Sequence, residues 1–218
     1  MQAARIAELL EPFLPDADDP QSAMDDTLLL RISTYIDILA RWNAHFNLTA
    51  VRDEDEIITR HFGESFFAAR HLFPRRSALA GATAADLGSG AGFPGIPIKL
   101  WAPEISMTLI ESNHKKATFL REVVRALTLT DIDIQNARAE DLRQSFNLVT
   151  LRAVEHFSRV LPVAARLTSA GGRLALLIGS SQVDEAKAIL LEFSWQAPIR
   201  IIASESRVIL TGAQPVSK

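Results

Sequence analysis

The chain has 218 residues, 48% hydrophobic and 22% charged, with a formal net charge of −3 and no cysteine. That length and composition can bury a sizeable core, most simply one domain with an accessory segment, and they exclude disorder as the main state. The missing cysteine excludes a disulfide framework, a zinc–thiolate site and a cysteine nucleophile. No stretch approaches the roughly 20 uninterrupted apolar residues of a membrane span, and no secretory signal pattern opens the chain. A cytoplasmic, membrane-free protein is therefore expected.

In chain order, residues 1–10 read as a short helix, and the Pro/Asp-rich stretch 11–20 reads as a loop. Leu28, Ile32, Tyr35, Leu39, Trp42 and Phe46 recur at steps of four and three, which predicts one apolar stripe on a helix over 25–45. That stripe is read as core packing rather than a base-stacking platform. Asp53 has the features of a helix cap for a short helix, and 64–72 is predicted as another. The first 75 residues are thus expected to be a helical extension packed on a core unit of residues 76–218.

From residue 82 the pattern changes to short apolar runs at 82–87, 107–111, 132–136, 147–151 and 173–178, alternating with helical stretches at 96–101, 114–127, 157–167 and 183–193. Such alternation predicts βαβ units and a parallel sheet. Two further runs, 199–203 and 207–211, are separated by only Ser204-Glu205-Ser206, too short for a parallel crossover, and are predicted to be an antiparallel hairpin. The expected fold is α/β, with a mostly parallel sheet of about seven strands ending in that hairpin.

The first strand runs into Gly88-Ser89-Gly90-Ala91-Gly92-Phe93-Pro94-Gly95, where glycines permit positive φ and a close backbone approach to a ligand. Glu111 ends the second strand, where a carboxylate in a doubly wound sheet reaches ribose hydroxyls. No Gly-Lys-Ser/Thr follows the glycines, so a P-loop is excluded. Asp86 just before the loop would crowd a pyrophosphate but can hold an ammonium group, which favours S-adenosylmethionine over a dinucleotide. Asp86 can equally be a carboxylate that only accepts loop amides. The loop after the third strand would lie beside the adenine, where Glu140 or the amides of Ala139 and Glu140 can bond the purine edge; a solvated acid at a helix start explains Glu140 as well.

Beyond these readings, the chain resembles the bacterial small-subunit ribosomal RNA guanine-N7 methyltransferases (RsmG, glucose-inhibited division protein B). The matching stretches are Asn47-Leu-Thr-Ala50, Arg60-His61, Asp86 through Pro97, Leu109-Ile-Glu-Ser112 with Lys115-Lys116, Arg138-Ala-Glu140 and Arg152-Ala153. The resemblance implies a class I (Rossmann-like) methyltransferase, S-adenosyl-L-methionine as methyl donor, and transfer to N7 of a guanine in 16S ribosomal RNA. It implies donor contacts at Gly88, Phe93, Ala139, Glu140 and Arg152, joining Asp86, Gly90, Glu111 and Ser112 as cofactor-binding candidates. Two positions depart from the family pattern: Ile178 stands where a lysine is usual, and Glu64-Ser65-Phe66 where an acidic residue before Ser-Leu is usual.

Guanine N7 carries a lone pair and no proton, so methylation there needs alignment rather than a general base. Arg152, at the end of the fourth strand, is the candidate catalytic residue, by donating to guanine O6 or a phosphate or by ordering the donor site; pairing with Glu140 or Glu155 is the structural alternative. Arg60, His61, Lys115 and Lys116 are the candidate RNA contacts, and Arg70, His71, Arg75 and Arg76 make a second basic cluster. The negative total does not exclude RNA, because phosphate affinity depends on where the cations cluster. The expected partner is 16S ribosomal RNA or the small ribosomal subunit, bound by a monomer, with no metal. The competing readings are a methyltransferase acting on another RNA or a small molecule, and a non-catalytic donor-binding module.

Overall fold

The computed structural model describes residues 2–14, 24–74, 81–154 and 156–216. Most of the Pro/Asp-rich loop, Arg75, Arg76 and Glu155 lie outside the described residues.

Helix α1 (Ala3–Leu10) is followed by a 3-10 turn at Glu11–Phe13. Helix α2 (Asp26–Asn43) starts where the Asp25 carboxylate accepts the amide of Leu28 at 2.7 Å. Asp53 caps α3 (Glu54–Glu56) in the same way through the amide of Glu56. The expected break before α4 (Glu64–Leu72) is absent: a π-helical segment, Ile57–Gly63, joins the two, because no Pro or polar cap interrupts 57–63. That widened segment carries Arg60 and His61.

The sheet holds strands β1 (Thr83–Leu87), β2 (Ser106–Ile110), β3 (Ile132–Gln135), β4 (Phe146–Arg152), β5 (Thr168–Gly179), β6 (Ser194–Trp195), β7 (Ile199–Arg200) and β8 (Arg207–Ala213). Its order is β3-β2-β1-β4-β5-β8-β6, with β7 also on β8. Pairings among β1 to β5 are parallel, and all those of β8 are antiparallel. The hairpin forms as predicted between β7 and β8, while the eighth strand, β6, has two residues and no periodicity from which to be read. Helices α5 (Gly95–Trp101), α6 (His114–Ala126), α7 (Phe157–Leu167) and α8 (Val183–Ile189) connect the strands.

Alternation along the strands distributes the core. Ala84, Met107, Leu109 and Leu148 face one side, in a cluster with Ile6, Ile32, Tyr35, Phe62 and Phe119, so the N-terminal helices and α6 cover that face. Ala85, Leu87, Val149, Leu151 and Leu176 face the other, packed on α7 and α8. Ile178, the departure from the family lysine, is 5% exposed in this second cluster and acts as packing. Tyr35, Leu39 and the earlier stripe residues are buried as expected, but Phe46 lies past the end of α2 and is 37% exposed.

Candidate active site

A cleft of about 500 Å³ opens at the carboxyl ends of β1, β2 and β4, the place where doubly wound sheets bind ligands. Gly88, Glu111, Ser112, Ala139 and Glu140 border it together with Lys116. One oxygen of the Glu111 carboxylate accepts the amide of Gly90 at 2.9 Å, and the other accepts that of Asn113 at 2.7 Å. Each oxygen keeps a second lone pair for a hydroxyl. Asn113 in turn caps α6 by accepting the amides of Lys115 and Lys116. Arg166 of α7 donates to the carbonyls of Ala139, Glu140 and Leu142. This fixes the carbonyls of Ala139 and Glu140 in the 3-10 turn Ala139–Asp141, whose first amides have no partner within the turn.

Gly88, Gly90 and Gly92 adopt φ of +65°, +56° and +88°, so the loop needs glycine at these turns. Its inner side is held by two buried groups. Tyr35 of α2 donates to the carbonyl of Ala91 and lies parallel to Phe93, with centroids 5.3 Å apart. Asp86 is 1% exposed and accepts the Thr150 hydroxyl at 2.8 Å and the Gly95 amide at 3.2 Å. Asp86 has the geometry of a loop-ordering carboxylate, because it is buried behind the loop and is not among the residues that border the cleft. Gly90 reaches the cleft through Glu111, and Phe93 is turned inward at 8% exposure.

Arg152 and Phe93 belong to a second, adjacent cluster. Nη2 of Arg152 donates to the carbonyl of Arg60 at 2.6 Å, to Nδ1 of His61 at 3.2 Å and to Glu64 at 3.2 Å. Its carboxylate partner is thus Glu64, not Glu140. Glu64, 2% exposed, also pairs with Arg207 of β8 at 2.5 Å. Two guanidinium groups on one carboxylate leave a surplus positive charge, and Nη1 of Arg152 is buried with no hydrogen-bond partner among the described residues. Because arginine only donates, Nδ1 of His61 is the acceptor and the ring proton sits on Nε2, directed at the Thr49 hydroxyl 2.7 Å away. His61 also stacks on Phe93, with centroids 4.9 Å apart. The stretches 47–50, 60–61 and 152–153 of the sequence therefore meet here. Arg60 points outward toward Glu56, and Lys115 lies over the Phe46 ring rather than at the cleft.

Burial, followed by the charges of Arg152, Arg60 and Arg207, lowers the His61 pKa from 6.5 to about 3. A pKa depressed on folding contributes stability that is present above pH 6.5 and lost as pH falls toward 3. Asp86 works in the opposite sense: burial raises it from 3.8 to about 6, so its contribution is present below pH 3.8 and lost as pH rises through 6. A His61→Gln variant is expected to lose stability less steeply than wild type between pH 6.5 and 3 in denaturant titrations. An unchanged slope would remove His61 from that pH dependence.

Tyr35, Glu64, Thr150, Arg166 and Arg207 were not signalled as site residues by sequence reasoning. Tyr35 carried the one usable hint, a hydroxyl on an otherwise apolar stripe, which requires a buried partner. The others act through partners tens of residues away.

The chain matches the family model described as rRNA small subunit methyltransferase G (GidB) over residues 29–199. It is 37% identical over 164 residues to ribosomal RNA small subunit methyltransferase G of Xylella fastidiosa (strain M23), covering 74% of each chain. To the protein of the same name from Chloroflexus aggregans it is 37% identical over 196 residues, covering 83% of this chain and 80% of that one. Among solved structures, magnesium protoporphyrin IX methyltransferase (ChlM) of Synechocystis PCC 6803 with bound SAM superposes with a TM-score of 0.63 at 17% identity, over 88% of this chain and 99% of that one. The ribosomal protein L11 methylase of Lactobacillus delbrueckii subsp. bulgaricus gives 0.58 at 17% identity, over 71% and 79%. These two show the methyltransferase fold, and the sequence matches show the family: the chain belongs to the rRNA small subunit methyltransferase G family.

Proposed function

We propose that this protein transfers a methyl group from S-adenosylmethionine to N7 of one guanine in 16S ribosomal RNA, acting as a cytoplasmic monomer on the small ribosomal subunit or its RNA. The observation that carries the reading is an adjacency. A cleft walled by a ribose-competent carboxylate, Glu111, and by the free amides of a 3-10 turn adjoins a buried arginine with an unused N–H donor.

The bound donor supplies an electrophilic methyl group on a sulfonium centre. Glu111 holds the ribose hydroxyls through its remaining lone pairs, and the amides of Ala139 and Glu140 take the purine edge. The glycine loop, fixed from behind by Tyr35 and Asp86, sets the depth of the cleft. Guanine N7 needs no base, and His61 offers none: its lone pair is taken by Arg152 and its proton faces Thr49. Nη1 of Arg152, buried and without a partner among the described residues, is the donor assigned to the substrate base, guanine O6 being the acceptor beside N7 on the same base edge. The Arg152 charge favours the ionised form of Glu64 and the neutral form of His61.

The test is methyl transfer from labelled S-adenosylmethionine to small subunits from a strain lacking this protein, followed by mapping of the modified base. Label on a single guanine N7 establishes the reading; donor binding without transfer to any RNA overturns it in favour of a non-catalytic module. Glu111→Ala is expected to weaken donor binding by about tenfold to a hundredfold in calorimetry, since it removes the ribose acceptor and frees two loop amides. Wild-type affinity in that variant would exclude the assigned role.

A further inference from the structure

Asn43 ends α2, its buried side-chain oxygen accepting the amides of Leu48 and Thr49, and the turn that results carries Phe46 out of the core. The ring stands 5.5 Å from that of Trp42, with Nζ of Lys115 over it at 4.6 Å. Arg41, Trp42, Ala44, His45, Phe46 and Glu122 border a shallow cleft of about 520 Å³ here. Its single carboxylate, Glu122, is held by the Trp42 indole N–H at 2.8 Å and by Arg41 at 3.2 Å, yet the Arg41 side chain remains 67% exposed. Helix α6, the other wall, carries Lys115, Lys116, Arg121 and Arg125 against Glu122 alone. Lys116, next in sequence to the lysine over Phe46, borders the donor cleft.

We propose that this shelf binds a single-stranded segment of the substrate RNA flanking the methylated guanine, with one base stacked on Phe46 and its phosphates on Lys115 and Arg41. The proposal rests on the RNA-methyltransferase reading above. An exposed ring edged by extended cations suits a nucleotide, which offers a π-face and a phosphate a few ångströms apart. A protein partner calls instead for a patch whose centre is depleted of charge, and here charged groups line the cleft on two sides. The exposed cation–π contact of Lys115 is weak and yields to a base and a phosphate together.

Three variants test it. Phe46→Ala is expected to raise KM for small subunits, and Kd for the isolated 16S RNA, by about tenfold, with donor affinity, unfolding midpoint and kcat at saturating RNA unchanged. Phe46→Trp is expected to retain wild-type binding. Lys115→Ala is expected to lower the slope of log affinity against log salt by about one. Unchanged KM in Phe46→Ala overturns the proposal, as does a loss confined to intact subunits with naked RNA unaffected, which assigns the shelf to a ribosomal protein. If wild-type protein methylates no RNA at all, the functional reading fails instead, before the shelf is tested.

Discussion

An Arg152→Ala variant is expected to lose methyl transfer by at least about a hundredfold while still binding S-adenosylmethionine. Removal of one buried donor aimed at a reacting group typically costs that much, and Arg152 keeps an unused Nη1, as Arg207 of the same cluster keeps an unused Nε. The fold should survive, since Glu64 retains Arg207 as a partner at 2.5 Å. The variant is nonetheless expected to be less stable by about 2 kcal/mol, because part of the compensation for a buried carboxylate is gone. Arg152→Lys should recover stability better than activity, as an ammonium cannot bond Glu64 and present a second donor in the same fork. Single-turnover transfer with saturating RNA, alongside donor titration, separates the two effects. Activity within threefold of wild type would dismiss Arg152 from the reaction.

Gly92→Ala is expected to lower stability by about 3 to 4 kcal/mol and the unfolding midpoint by about 10 °C. A Cβ at this position would stand 2.3 Å from the Tyr35 hydroxyl oxygen and 2.7 Å from Cδ1 of Ile96, at a φ of +88°. The unfavourable φ accounts for about 1 kcal/mol; the remainder is overpacking of a fully buried ring and loss of the Tyr35 to Ala91 hydrogen bond. Gly90→Ala is the control. Its Cβ would meet nothing nearer than 3.7 Å, so only the backbone cost of about 1 kcal/mol is expected. The double variant Gly92→Ala with Tyr35→Phe should regain part of the loss by removing the oxygen in conflict. If it behaves as the simple sum of its parts, the clash with Tyr35 is not the cause.

Short-range chemistry makes much of this protein legible in its sequence. The cap at Asp53, the glycine loop and the helix Phe157–Leu167 follow from neighbouring residues alone, and the strand positions follow from short apolar runs. The serine-rich link at 204–206 likewise forced an antiparallel hairpin by its length. Glu111 was recognisable as a candidate ribose carboxylate because its distance from the glycines is set by one βα unit, and the structure places it at the cleft.

Tertiary packing decided the rest. Glu64 and Arg152 are 88 positions apart, and nothing local distinguishes a carboxylate that will be buried between two arginines from one left in solvent. Asp86 reads from the sequence as either a loop-ordering or a ligand-holding carboxylate, and only the packing of β1 against β4 shows it buried behind the loop with Thr150. Phe46 matched a helical stripe, yet Asn43 turned the chain first, because its side chain satisfies two later amides better than another helical turn would. Periodicity and capping thus specified the elements of this chain, whereas the pairing of buried charges and the exposure of its aromatic shelf depended on which elements the hydrophobic core brought together.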